Sequence, residues 1–165
     1  MKIKDSSILA PALVMASLLV GHGIAQTPGA ASAPPAAPQS IQTASTIMQP
    51  SLDEVLRATG NLSPEHWRTS NAMRQETAAN IDSIRRDLTG SLPSLLNAAD
   101  RAPNSVAQIL PAYRNVEALY DVLLRVTETS RMSASKEQTA ALEQALNELE
   151  GARRALGERM QTVAV

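Results

Sequence analysis

The sequence predicts an all-α fold, a small helical bundle that follows a signal peptide and a disordered linker. Three observations point there. Each apolar stripe beyond Pro50 begins at a recognisable helix start signal, leucines recur every seven residues near the C-terminus, and no segment of the folded part alternates with period two. The chain has 165 residues, room for one domain.

The N-terminus reads as a leader. Lys2 and Lys4 precede the apolar run "ILAPALVMASLLV", Ile8 to Val20, which is short for a membrane span. Gly23 and Ala25 then place small side chains where a leader-processing enzyme wants them, so residues 1–25 are expected to be a signal peptide cleaved after Ala25. If the leader is not cut, it becomes an anchor with the domain still outside the cytoplasmic membrane. Export to the periplasm is the expectation either way, with membrane contact only in the anchored form.

Residues 26–50, "QTPGAASAPPAAPQSIQTASTIMQP", hold five Pro and no charged residue, the composition of a disordered Pro/Ala/Ser-rich linker. The bundle is expected over residues 51–165. Its first helix opens at Ser51, with Glu54 completing a capping box, and ends at Gly60. A long helix near 64–88 follows, with Ser63 as cap, Pro64 at the first helical position and Glu65 complementing the dipole. The apolar face of its first half is thin, carried by Trp67, Met73 and Ala78 alone before Ile81, Ile84 and Leu88. Those three are the candidate partner-facing residues.

"SLPSLLNAADRAP" predicts a short helix from Ser91 to about Arg101, stopped by Pro103. A long helix near 106–130 opens at the Ser105–Gln108 capping box, with Pro111 either kinking it or marking its start. On it, Arg114, Glu117, Asp121, Arg125 and Glu128 fall within an arc of about 80°, and nearly every other direction is apolar, the pattern of a helix surrounded by neighbours. Tyr113 and Tyr120 lie near the edge of that arc, where a ring packs inside and a hydroxyl reaches water. Pairs Arg114–Glu117 and Asp121–Arg125 are expected along the polar edge. The last helix, near 136–162, starts at Ser135 with Gln138 in a further capping box. Its seam of Leu142, Leu149, Leu156 and Val163 predicts near-antiparallel packing on the helix before it.

The chemistry this chain lacks is informative. It has no Cys, which excludes disulfides, thiolate metal sites, a lipid-modified Cys and covalently attached haem together. Beyond the leader it has one His, His66, too few for a zinc site of the usual kinds or for a di-iron bundle. No Gly-x-Ser-x-Gly elbow or phosphate-binding glycine loop occurs. Glu143, Glu148, Glu150 and Glu158 lie on the solvent side of the leucine seam. The chain therefore reads as a non-enzyme with no catalytic residues and no metal. Removing the leader leaves 13 basic against 15 acidic residues, so no bulk field favours nucleic acid. The paired arginines, Arg85–Arg86 and Arg153–Arg154, are each diluted by neighbouring acids.

The segment Ile84 to Val126, "IRRDLTGSLPSLLNAADRAPNSVAQILPAYRNVEALYDVLLRV", resembles uncharacterised exported all-helical proteins of soil bacteria. That resemblance implies an exported helical domain and brings no activity or ligand with it. The expected function is protein contact, as a structural, adaptor or chaperone-like module with a protein partner or a second copy and no cofactor. The alternative is a periplasmic carrier of a small apolar ligand, or of haem held non-covalently by His66 with Met73, Met132 or Met160.

Overall fold

A computed structural model describes residues 42–165 as five α-helices and one 3-10 turn, with no strand among the described residues. The predicted leader and the linker as far as residue 41 lie outside the described residues. The helices are α1 (Ala44–Gly60), α2 (Asn71–Thr89), α3 (Ser91–Arg101), α4 (Val106–Ser133) and α5 (Lys136–Ala164). The fold is an all-α helical bundle.

The seventeen-residue α1 begins seven residues earlier than the Ser51 start signal predicts, so residues 44–50 of the expected linker are helical. Thr43 is the cap, its hydroxyl accepting from Thr46 N–H at 3.2 Å. Asp100, at the end of α3, accepts from Ser45 N–H at 3.0 Å and satisfies a second orphan donor. Ala44, Met48, Leu52 and Val55 make a buried stripe at helical spacing. Pro50 lies inside the helix on an exposed position, where its missing N–H leaves a solvent-side carbonyl to water. Ser51 is no cap: it is buried and donates to Met48 O at 2.8 Å. Its partner Glu54 instead pairs with Arg57.

The predicted helix from 64 to 88 is broken. Pro64–His66 form one 3-10 turn without a side-chain cap from Ser63, and Trp67 adopts extended backbone. α2 starts only at Asn71, capped by Ser70, whose hydroxyl accepts from Met73 N–H at 3.2 Å. The extended link leaves Trp67 buried, with its indole N–H bonded to Gln138 of α5. α2 then keeps Ile81 and Ile84 in the core, and Arg85 donates to Thr59 O at 2.6 Å, closing the C-terminal end of α1.

A single residue, Gly90, joins α2 to α3. A Cβ there would lie 2.8 Å from the carbonyl oxygen of Arg86, so the corner has room for glycine alone. α3 spans Ser91–Arg101 as its start and stop residues predict.

α4 is the centre of the bundle, packed by α2, α3 and α5, which is why its apolar residues point in so many directions. Pro111 sits within it, exposed, rather than starting it. Val116, Leu119 and Leu123 are fully buried. In α5, Leu142, Leu149 and Leu156 are likewise buried, with Ala145 and Leu146 beside them and Val163 partly so. The seam packs on α4, and it packs on α1 as well. Arg131–Glu143 and Glu117–Arg153 link α4 to α5 in opposite chain order, so the two helices run antiparallel.

Candidate interaction surface around Met132

The end of α4 reads "VTETSRMSAS", and its chemistry builds a corner. Thr127, Ser130 and Ser133 continue the buried face of Leu119 and Leu123. Each hydroxyl is satisfied by backbone of its own helix: Thr127 donates to Leu123 O at 2.8 Å, Ser130 to Thr127 O at 2.7 Å and Ser133 to Thr129 O at 2.5 Å. Ala134 and Ser135 then turn the chain into α5. Ser135 caps it, accepting from Gln138 N–H at 3.3 Å, and Thr139 donates back to Ser130 O at 3.1 Å.

The Trp67 link docks against this corner. Arg68 N–H donates to Ser133 O at 2.9 Å, supplying one of the orphan carbonyls at the end of α4. Trp67, only 3% exposed, donates through Nε1 to Gln138 Oε1 at 2.9 Å, and Gln138 Nε2 in turn donates to Asn61 O at 3.3 Å. The Gln138 side chain is thus spent on the neighbouring elements and does not complete the capping box.

Two depressions meet at Met132, whose side chain is 82% exposed at the corner. One, of about 580 Å³, is lined by Trp67, Arg68, Arg131, Lys136, Ser135 and His66 among others. The other, of about 210 Å³ between α2 and α4, holds Met73, Glu76, Asn80, Arg125 and Glu128. Met73 is 37% exposed.

The three residues predicted to face a partner therefore separate. Trp67 is a core residue, a correction to the expectation, since the break before α2 lets it pack inward and find a hydrogen-bond partner. Met73 lies on the surface beside Met132. Ala78 is half-buried and lines a different depression, of about 200 Å³, with Leu62, Pro64, Ile81 and Arg85. Sequence reasoning missed Met132 as a surface feature because the long helix was expected to end near residue 130, which left Met132 in the connection, whereas α4 runs on to Ser133. The available signal was its position among Ser and Thr just ahead of the Ser135 cap.

The tyrosines on α4 form a clamp rather than a site. Neither expected ion pair within the helix is present: Glu117 accepts from Arg153 of α5 at 3.3 Å, and the Arg153 guanidinium lies 4.8 Å from the centre of the Tyr120 ring. A hydrogen bond to Glu117, with burial second, raises the Tyr113 hydroxyl above the ordinary tyrosine pKa, so it stays protonated. Gly157 of α5 gives the Tyr113 ring its space, since a Cβ there would meet the ring at 3.3 Å.

Of the Met residues considered as haem ligands with His66, Met132 shares a depression with it. Its other walls are Trp67 and Ala134 together with Ser63, Ser133, Ser135, Arg68, Arg131, Lys136 and Gln138, a lining too polar for an apolar macrocycle. Among the described residues no group of three His, Cys, Asp or Glu could hold a metal ion, and no helix is long and apolar enough to cross a membrane. No family model matches the chain, and searches of curated proteins and of solved structures found no match.

Proposed function

We propose that the protein is an exported, non-enzymatic helical bundle that works by protein contact, as a structural, adaptor or chaperone-like module of the periplasm. The observation that carries this reading is Met132, a large apolar side chain 82% exposed at the α4–α5 corner, with Met73 partly exposed across the adjoining depression. Methionine is unbranched and polarizable, suited to surfaces that repack against a partner. The basic, apolar and small-residue succession of residues 1–25 supports export.

The test is site-specific photocrosslinking in intact cells, with the photoreactive residue at position 132 and, as a control, at exposed Arg101. A reproducible adduct from 132 that is missing from 101 is the expected result. Adducts from neither position, or equal adducts from both, would overturn the reading. Mass spectrometry of the adduct separates an envelope partner from a second copy, and the intact N-terminal mass tells the cleaved form from the anchored one.

A further inference from the structure

The depression of about 580 Å³ beside Met132 has a one-sided charge. Arg68, Arg131 and Lys136 line it and no carboxylate does. Two neighbouring acids already sit on groove residues, Glu143 paired with Arg131 at 2.8 Å and Glu65 3.4 Å from His66 Nδ1, which leaves Arg68 and Lys136 as the groove's open cations. Arg68 and Lys136 have no carboxylate within ion-pair distance among the described residues. Both are exposed, and they come from different elements, the Trp67 link and the first turn of α5. The other lining groups include the hydroxyl of Ser63, which can donate to an anion.

This arrangement selects for more than charge. An exposed cation gains little from one monovalent ion in water, so recognition needs several negative charges on one ligand. Met132 stands at the rim of the same depression and offers an apolar contact that a compact inorganic anion cannot use. We propose that the groove binds an acidic segment of a partner protein, with carboxylates meeting Arg68 and Lys136 and an apolar side chain packing on Met132. The proposal rests on the protein-contact reading above and names the chemistry of the partner.

Trp67 is the chain's single Trp and lines the groove, so its fluorescence reports occupancy without a label. The probes are a short peptide of alternating Glu and Ala with a central Leu, the same peptide with Lys in place of Glu, and tripolyphosphate. Saturable change is expected with the Glu peptide, weakening as salt rises, and none with the Lys peptide. Arg68→Gln combined with Lys136→Gln should weaken binding about tenfold, the scale of two exposed charge pairs. Met132→Ser should weaken the Glu peptide about threefold and leave tripolyphosphate unchanged. Helix content by circular dichroism confirms that each variant is folded, and both substituted cations are at exposed positions.

The proposal fails if the Glu peptide gives no response, or if its affinity survives loss of both cations. It also fails if tripolyphosphate binds as tightly as the peptide and Met132→Ser affects neither, which would make the groove a site for small oxyanions. Peptide binding without a crosslinked partner at 132 would sink the cellular reading and keep the groove chemistry. A partner captured at 132 with no peptide binding would do the reverse.

Discussion

Nε1 of Trp67 and Oε1 of Gln138 are 2.9 Å apart although 71 positions separate them in sequence. That hydrogen bond fixes the link before α2 to the first turn of α5, and through Gln138 Nε2 it reaches the end of α1 at Asn61. Three helix ends are tied at one corner, and the same corner carries the exposed Met132.

Trp67→Phe keeps most of the apolar packing and removes one hydrogen bond, leaving Gln138 Oε1 without its indole donor. The expected loss is about 1–2 kcal/mol of unfolding free energy. Trp67→Ala also opens a cavity and should cost about 3–5 kcal/mol. Urea unfolding followed by far-ultraviolet circular dichroism checks both, since neither variant retains tryptophan emission.

Two glycines should respond in opposite directions. Gly151 lies on the exposed face of α5, and an alanine Cβ at that position would have nothing within 4 Å, so Gly151→Ala should raise stability by about 0.5–1 kcal/mol through helix propensity. Gly90→Ala drives a Cβ onto the Arg86 carbonyl oxygen at 2.8 Å and should lower stability by about 1–3 kcal/mol. Denaturant midpoints at constant m-value separate the two.

Glu137 has its carboxyl pKa lowered by bonds to its own backbone N–H and to the Ser135 hydroxyl. A depressed carboxyl pKa stabilises the fold above the unfolded-state value and loses that contribution as pH falls through the folded-state value. Glu137→Gln should therefore melt below the parent protein at neutral pH. The gap should close in acid, below the ordinary carboxylate range. Thermal unfolding of the pair at several pH values is the measurement, and a gap independent of pH would rule this account out.

Glu117 and Arg153 should be coupled by about 0.5 kcal/mol in a double-mutant cycle, a modest value because both side chains are partly exposed, at 43% and 29%. Arg153→Ala alone should cost more, about 1 kcal/mol, because it also loses the contact over the Tyr120 ring. Glu117→Gln should bring the Tyr113 titration back toward the ordinary tyrosine range, read by ultraviolet absorbance at alkaline pH.

The helical class, the bounds of α3, the start of α5 with its leucine seam and the central place of α4 were legible from residue order alone. These follow from periodicity, from caps and from proline and glycine stops, all of which act within a few residues. Residue order also placed Tyr113 and Tyr120 at the edge of a solvated arc, though not the partner that Glu117 would choose. Tertiary structure decided which start signals are used. Thr43, Ser51, Ser63 and Ser70 can all cap a helix, but Asp100 reaches Ser45 from α3 and favours Thr43, while the chain turns extended at Trp67, which bonds to Gln138 of α5, and leaves the second start to Ser70. It also decided that Trp67 is core and Met132 is surface. The physical reason is that a cap or an apolar side chain has several local options of similar free energy, and contacts across the bundle choose among them.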